Sequence, residues 1–483
     1  MNPFQTAAPA KKSITLIGVY LGLFGAIFAS SGLATALPAA AKGIGGAALY
    51  PLASTIAGLL SMVAMPLYGF IGARNPADKR LLFVASMVVG GVVSLARGLA
   101  PNMMTIVIAS VFWAFLAAGV YVIGYSMIRD MYSQERSGTL LGVVGTIQAV
   151  GMLIGPAVTG FLIDNVSWRA VFLTTAGLLF AAAAVSFVGL RVSRSDGAAM
   201  GAGSATRFDL PGCIVLTLFM GGIVLSLSLG PSSSGEAYLP FGTLGNNLML
   251  VVAALSLIAL IVIVRKKGDK AVLPMSVLRN RNTLLLASSN ALGVFSGMAV
   301  FFFIPTYVIY VMEGTATQAA LTSTAIAAVG LFLGPLFGKA IGKAGNARGV
   351  LTLGTLIRIG ITVFLALVIK PDMKLWLLYA IMLVVGVYNC QQGVTFATAP
   401  QIQLPEDIRV MGNSVVQLAQ TIGGGFGLAV FTTVIGIKGP ADGMPIALMI
   451  AIGTALVLLV LGLFLQPIAR AGQPAAQDKA DAA

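Results

Sequence analysis

A chain of 483 residues that is 58% apolar and only 9% charged does not fit a soluble domain, since such domains average roughly 25% charged residues and cannot bury repeated apolar runs of membrane-spanning length. The net charge of +14 would suggest nucleic acid in a soluble protein, but here the loops that carry the basic residues account for it. Two cysteines, both inside apolar runs, imply no disulfide framework, and with no histidine any proton chemistry falls to carboxylates.

Lys11 and Lys12 precede an apolar run over 13–37, too long for a signal-peptide core, which reads as a first membrane helix. Apolar stretches of spanning length follow near 47–72, 81–100, 103–128, 138–163, 169–190, 210–230 and 244–264. Six more lie near 283–311, 318–342, 350–369, 375–399, 412–437 and 445–466, giving fourteen. With both termini in the cytoplasm, only Lys42, Arg97, Arg169, Lys370, Lys374 and Lys438 of the 29 basic residues face outward, and Arg358 alone lies within a span. The segment from Arg265 to Arg281 is the richest on the inside. This asymmetry supports an even number of crossings, with a cytoplasmic-membrane location.

The chain also resembles itself. Pro66-Leu67-Tyr68-Gly69 recurs as Pro335-Leu336-Phe337-Gly338, an offset of 269. At that offset Arg74 matches Lys343, Gln148 matches Gln417 and Gly155 matches Gly424. The expected architecture is an all-α membrane protein of fourteen transmembrane helices: two six-helix bundles, in segments 1–191 and 282–483, with a two-helix insert at 192–281. Two such bundles around a midplane site are what alternating access requires.

In the fifth span, Gly151-Met-Leu-Ile-Gly155-Pro156-Ala-Val-Thr159-Gly160 is followed by Trp168-Arg169-Ala-Val-Phe172. The first segment resembles the GxxxGPxxGG motif of the major facilitator superfamily's drug:proton antiporters, with Thr159 in place of one Gly. The segments Phe208-Asp209-Leu-Pro-Gly212 and Pro274 to Arg281 resemble the borders of the insert in the fourteen-helix branch. Independently of the resemblance, Gly151, Gly155 and Thr159 form a small-residue stripe for close helix contact, and Pro156 can bend that helix. Gln420, Gly423, Gly424 and Gly427 form a comparable face in the second half. Gly69-Phe-Ile-Gly72-Ala73-Arg74 resembles the family's cytoplasmic gating loop, with Ala73 where the family has Asp. Asp130, Glu135 and Arg136 lie in the next cytoplasmic loop as partners for Arg74, or as solvated topology charges.

The resemblance implies a transporter that exchanges amphipathic compounds for protons. The first-helix residues argue otherwise: Ala29 stands about where the family carries an Asp, and no acidic residue falls clearly inside a span. Asp130, Asp164 and Glu313, at helix ends, remain for proton coupling. The one intramembrane charge is Arg358, whose partner would be an anionic group or neighbouring carbonyls and polar side chains. Cavity-wall residues are expected on spans 1, 4, 9 and 12: Ser30, Ser31 and Thr35; Trp113, Tyr121 and Tyr125; Ser289, Ser296, Phe303, Tyr307 and Tyr310; Tyr388, Asn389, Gln391, Gln392 and Thr395. Hydroxyls, amides and aromatics without charge suit an amphipathic molecule of modest polarity, although some of them serve only helix packing. The expected partners are the bilayer, a small-molecule substrate and, if the cycle is ion-coupled, protons. The sequence points to a monomeric transporter rather than an enzyme, with export of drug-like compounds as the first reading and movement of an organic anion or metabolite as the second. No cofactor, metal or nucleic acid is expected.

Overall fold

The computed structural model describes residues 9–46, 49–74, 78–132, 134–189, 209–229, 239–344, 346–405 and 408–465. Among these residues all regular structure is helical. In chain order the long helices are α1 (Pro9–Ile44), α2 (Tyr50–Arg74), α3 (Lys79–Gly98), α4 (Met103–Met131), α5 (Gln134–Asn165), α6 (Trp168–Val188) and α7 (Leu210–Leu229). They continue with α8 (Leu244–Lys267), α9 (Arg281–Tyr310), α10 (Ala316–Ala344), α11 (Arg348–Val368), α12 (Leu375–Gln403) and α13 (Arg409–Leu463). Twelve are long and apolar enough to cross a membrane; α10 makes a thirteenth if its two parts, bent by 41°, are counted as one. Phe208 and the tail beyond 465 lie outside the described residues, as do the side chains of Arg74 and Glu135.

Three breaks follow from the sequence. A proline has no N–H and crowds the carbonyl four residues back. Pro305 thus explains why α9 is interrupted at Phe302, and Pro335 why α10 bends between Gly330 and Phe332. In α13, Gly439 takes φ 79° and ψ 164°, outside the helical region, just before Pro440. There the chain reverses: a Cβ on Gly443 would lie 2.8 Å from Ile435 Cα, whereas eight residues of straight helix rise about 12 Å. The expected spans 412–437 and 445–466 are therefore the two arms of α13.

The helices alternate in direction, and the end at which α1 begins is called the near end below. Separate cores fill each half toward that end. One holds Val19, Leu23, Phe83, Leu116, Ile128 and Leu179; another holds Leu286, Ile341, Leu351, Phe396, Val416 and Leu458. At the far end a single core joins the halves, with Leu37, Leu49 and Ile106 packed together with Val300, Tyr307, Leu378 and Phe431. Its polar links also cross between halves. Tyr310 donates its hydroxyl to the Pro38 carbonyl at 2.9 Å, and Tyr50 Oη lies 3.3 Å from Thr306 Oγ1.

The two helices expected as an insert pack on each other and reach both halves. Leu216, Met220 and Val224 of α7 share a core with Leu59 of α2 and Ala429 of α13. At the near end Asp209 ties the pair together: it accepts from Lys267 Nζ at 2.5 Å, from the Val272 N–H at 2.8 Å and from the Gly212 N–H at 3.0 Å.

Candidate functional site

Glycine spacing sets how closely the helices around the seam approach. On α5, Gly151 lies against Ile27, and Gly155 against Ser31 and the backbone of Phe28, both on α1. On α13, Gly423 lies against the backbone of Ala291, and Gly427 lies so close to α9 that a Cβ would be 2.7 Å from the Phe295 carbonyl oxygen. The same i, i+4 device therefore docks α5 on α1 and α13 on α9. Pro156 sits inside α5 between these contacts and Gly160.

Between α9, α12 and α13 a cavity of about 340 Å³ opens, reached from the other half by Met152 of α5. Its polar lining consists of side-chain amides: Asn290, Asn389, Gln392, Gln417 and Gln420. Val294, Met298, Phe301 and Phe396 supply apolar surface. A shallower groove of similar volume between α1 and α5 is almost wholly apolar, with Ile17, Leu21, Phe24, Ile147 and Val150 in its wall.

Of the residues expected at the site, Asn389 and Gln392 line the cavity. Arg358, Ser296 and Tyr388 lie directly behind it and are buried. Arg358 donates to the Gly293 carbonyl and to Gln392 Oε1, and to Ser296 Oγ at 2.5 Å. Its guanidinium stands 4.5 Å from the centre of the Tyr388 ring, a cation–π contact that suits a desolvated cation. Arg358 occupies the Gln392 oxygen, and the Gln392 amide nitrogen donates to the Asn290 carbonyl at 3.5 Å. Arg358 is thus held by a carbonyl and polar side chains, the second of its two expected environments.

The other expected residues serve elsewhere. Ser31 bonds the Gly151 carbonyl at 3.2 Å and fastens α1 to α5, while Ser30 bonds its own helix at Ala26. Trp113 lies under Arg97, with 4.7 Å from guanidinium to ring centre. Arg97 was expected in an outer loop; instead it is 2% exposed, inside the bundle, and donates to Ser110 at 2.8 Å. Tyr121 sits in the π-helical stretch Gly119–Gly124 of α4 and packs edge-on against Tyr125, to whose hydroxyl Gln148 donates at 2.8 Å. Tyr307 belongs to the far-end core.

Near-end charges are also rearranged from expectation. Asp130 pairs with Lys79 at 2.6 Å, and Lys79 also donates to Ser126. Lys79 is buried, drawn in from a position that reads as loop. Arg136 is exposed and lies over the Tyr132 ring at 5.4 Å. Gly69 approaches Val122 of α4.

Sequence reasoning missed Asn290, and noted Gln417 and Gln420 only as a repeat match and a packing face. The available signal was register. On α9 the lining residues are Asn290, Gly293, Val294, Gly297 and Phe301, with Asn290 and Gly297 one position on from Ser289 and Ser296. Asn290 is itself 1% exposed and donates to the Val416 carbonyl.

The family model of the Major Facilitator Superfamily matches residues 19–428. The chain is 24% identical over 330 residues to the multidrug transporter protein MdtP of Bacillus subtilis, covering 68% of this chain and 57% of that relative, less than two thirds of its length. It is 22% identical over 333 residues to the riboflavin transporter RibZ of Clostridioides difficile, covering 68% of this chain and 67% of the relative. A POT family transporter solved in complex with 5-aminolevulinic acid shares the fold at a TM-score of 0.67 and 13% identity, covering 93% of this chain and 96% of that one. The family match spans most of the chain and agrees with the helical seam and its cavity; the chain belongs to the Major Facilitator Superfamily.

Proposed function

We propose that this chain is a secondary active transporter that works by alternating access and exports drug-like or amphipathic small molecules. The observation that carries this reading is the cavity between α9, α12 and α13, whose amides and apolar side chains together suit a molecule with a polar end and an apolar body. The resemblance to a multidrug transporter supports the same class.

On this reading the chain crosses the membrane fourteen times, the two arms of α13 counting separately, as six helices, an inserted pair and six more. The shared packing of α5 on α1 and α13 on α9 supports two equivalent halves. The near end is cytoplasmic, because most basic residues lie there. The described state is then closed outside by the far-end core. The second reading, an organic anion as cargo, draws only on the positive charge of Arg358 behind the cavity wall, since its donors are taken by Gly293, Ser296 and Gln392.

Reconstitution in liposomes with an imposed pH gradient tests both. Internal pH and compound uptake are followed for a panel of amphipathic cations, neutral drugs and organic anions. Movement of neutral or cationic amphiphiles supports the first reading, and movement of anions alone supports the second. A panel that moves no faster than in empty liposomes counts against both.

A further inference from the structure

Asp164 lies near the end of α5, in the first half, and reaches the start of α10, in the second. Its Oδ1 accepts the Ala316 N–H at 2.9 Å and its Oδ2 accepts the Thr317 N–H at 2.7 Å. The rest of that helix start is satisfied locally. Thr315 Oγ1 accepts the Gln318 N–H at 3.2 Å, and Gln318 Oε1 accepts the Thr315 N–H at 2.9 Å, the reciprocal pair of a capping box. The two donors that the box leaves over are those that Asp164 takes. One turn earlier Gly160 makes the approach possible, since a Cβ there would stand 2.6 Å from Thr317 Cα and 2.8 Å from the Ala316 oxygen.

This contact differs from those of the other helix-end carboxylates. Asp130 and Asp209 each pair with a lysine in their own part of the molecule. The partners of Asp164 are backbone N–H groups of the opposite half, at the positive end of the α10 dipole, where an ionised carboxylate is favoured. The charged groups at the far ends of α1, α6 and α10 are Lys42, Arg169 and Glu313, and those before α12, which packs on α10, are Lys370, Asp372 and Lys374. Lys42 and Glu313 are exposed, and Arg169 donates to the Ala100 carbonyl and lies over Trp168. None of these groups forms an ion pair with Asp164 among the described residues.

We infer that Asp164, an exposed carboxylate on the seam, is a proton-sensitive latch: it is ionised while the far end is closed and takes a proton more readily once that end opens. Acid opening therefore sets in toward the ordinary carboxylate range, at about pH 4. The inference rests on the alternating-access reading above. Separation of the halves removes both N–H donors and the dipole from the carboxylate, so the open state binds a proton more tightly. By linkage, protonation from the outer water favours opening to the same degree. The cycle thereby becomes proton-sensitive without a carboxylate at the midplane.

The test is pulsed EPR distance measurement on the full chain in lipid nanodiscs. Spin labels are attached through L99C and K374C, exposed far-end positions in opposite halves, in a background with Cys213 and Cys390 replaced by alanine. The open-to-closed ratio is expected to rise with acid, by at most about tenfold per pH unit for a single proton. Asp164→Asn should be open at neutral pH and insensitive to acid. Ala316→Pro removes one donor at a first helical position that tolerates proline, and should shift the opening midpoint to higher pH. A distance change with the same pH profile in wild type, Asp164→Asn and Ala316→Pro overturns the proton-sensitive latch and leaves alternating access standing. One fixed distance at every pH and with every panel compound overturns both.

Discussion

Arg358 costs at least about 2.5–3.5 kcal/mol at the midplane of a membrane, and its hydrogen bonds to Gly293, Ser296 and Gln392 recover that cost while fixing the cavity wall. A lysine reaches these partners with a point charge rather than a planar fork. Arg358→Lys and Arg358→Gln should therefore both lose most transport, with Gln392 released from its orientation. Asn389→Ala removes one amide of the cavity lining and leaves the Arg358 partners in place. It should raise the KM for a transported compound about two- to tenfold, as expected for a hydrogen bond of about 0.5–1.5 kcal/mol, with kcat little changed; initial uptake rates check both. Asp209 carries a pH prediction. Burial alone would raise its carboxyl, but the hydrogen bonds from Lys267 and from the N–H groups of Val272 and Gly212 hold it below the usual carboxylate range. A depressed value contributes stability that is present above the unfolded value of about 3.9 and lost as pH falls through the folded one. Asp209→Asn should lower the thermal midpoint at pH 7 in detergent, and the gap to wild type should close below about pH 4.

Helix contacts explain both what the sequence revealed and what it concealed. Long apolar runs mark spans because a helix that crosses lipid needs about 20 of them, and each expected span has a helix over it. The glycine stripes were legible for the same reason: small residues at i, i+4 have few uses other than close packing. Which helix they touch was not legible, since α1 and α9 are remote in sequence from α5 and α13. The face lining the cavity was misread by one position on α9, because period alone locates a polar stripe without telling whether it turns toward an opening or a neighbour. Asn290 borders the cavity, although it is as buried as Ser289 and Ser296 and donates to the Val416 carbonyl. Packing at Gly427 can be tested on its own helix. Gly427→Ala places a Cβ 2.7 Å from the Phe295 oxygen, whereas Gly453 has nothing within 4 Å. Gly427→Ala should destabilise by about 1–3 kcal/mol, the usual cost of overpacking. Gly453→Ala should be neutral or slightly stabilising by helix propensity, and thermal melts separate the two.

At the scale of the whole molecule, the far end holds the shared core, the Tyr310–Pro38 and Tyr50–Thr306 contacts and the Asp164 link, while toward the near end the two halves have separate cores. A molecule joined at its far end, with a cavity in the second half that Met152 of the first half borders, is consistent with the proposed alternating access. Two of its breaks fit that use, since Pro305 and Pro335 interrupt helices of the second half rather than the inserted pair, whereas Gly439 marks the turn between two arms. Ala397 is exposed and lines the cavity, so Ala397→Cys in the Cys213- and Cys390-free background reports access directly. The decisive measurement is its labelling by a membrane-impermeant maleimide in right-side-out and inside-out vesicles, with and without a transported compound. The account predicts labelling from the cytoplasmic side at rest, with outside labelling gained and inside labelling reduced during turnover. Equal labelling from both sides under all conditions, or from neither, would contradict it.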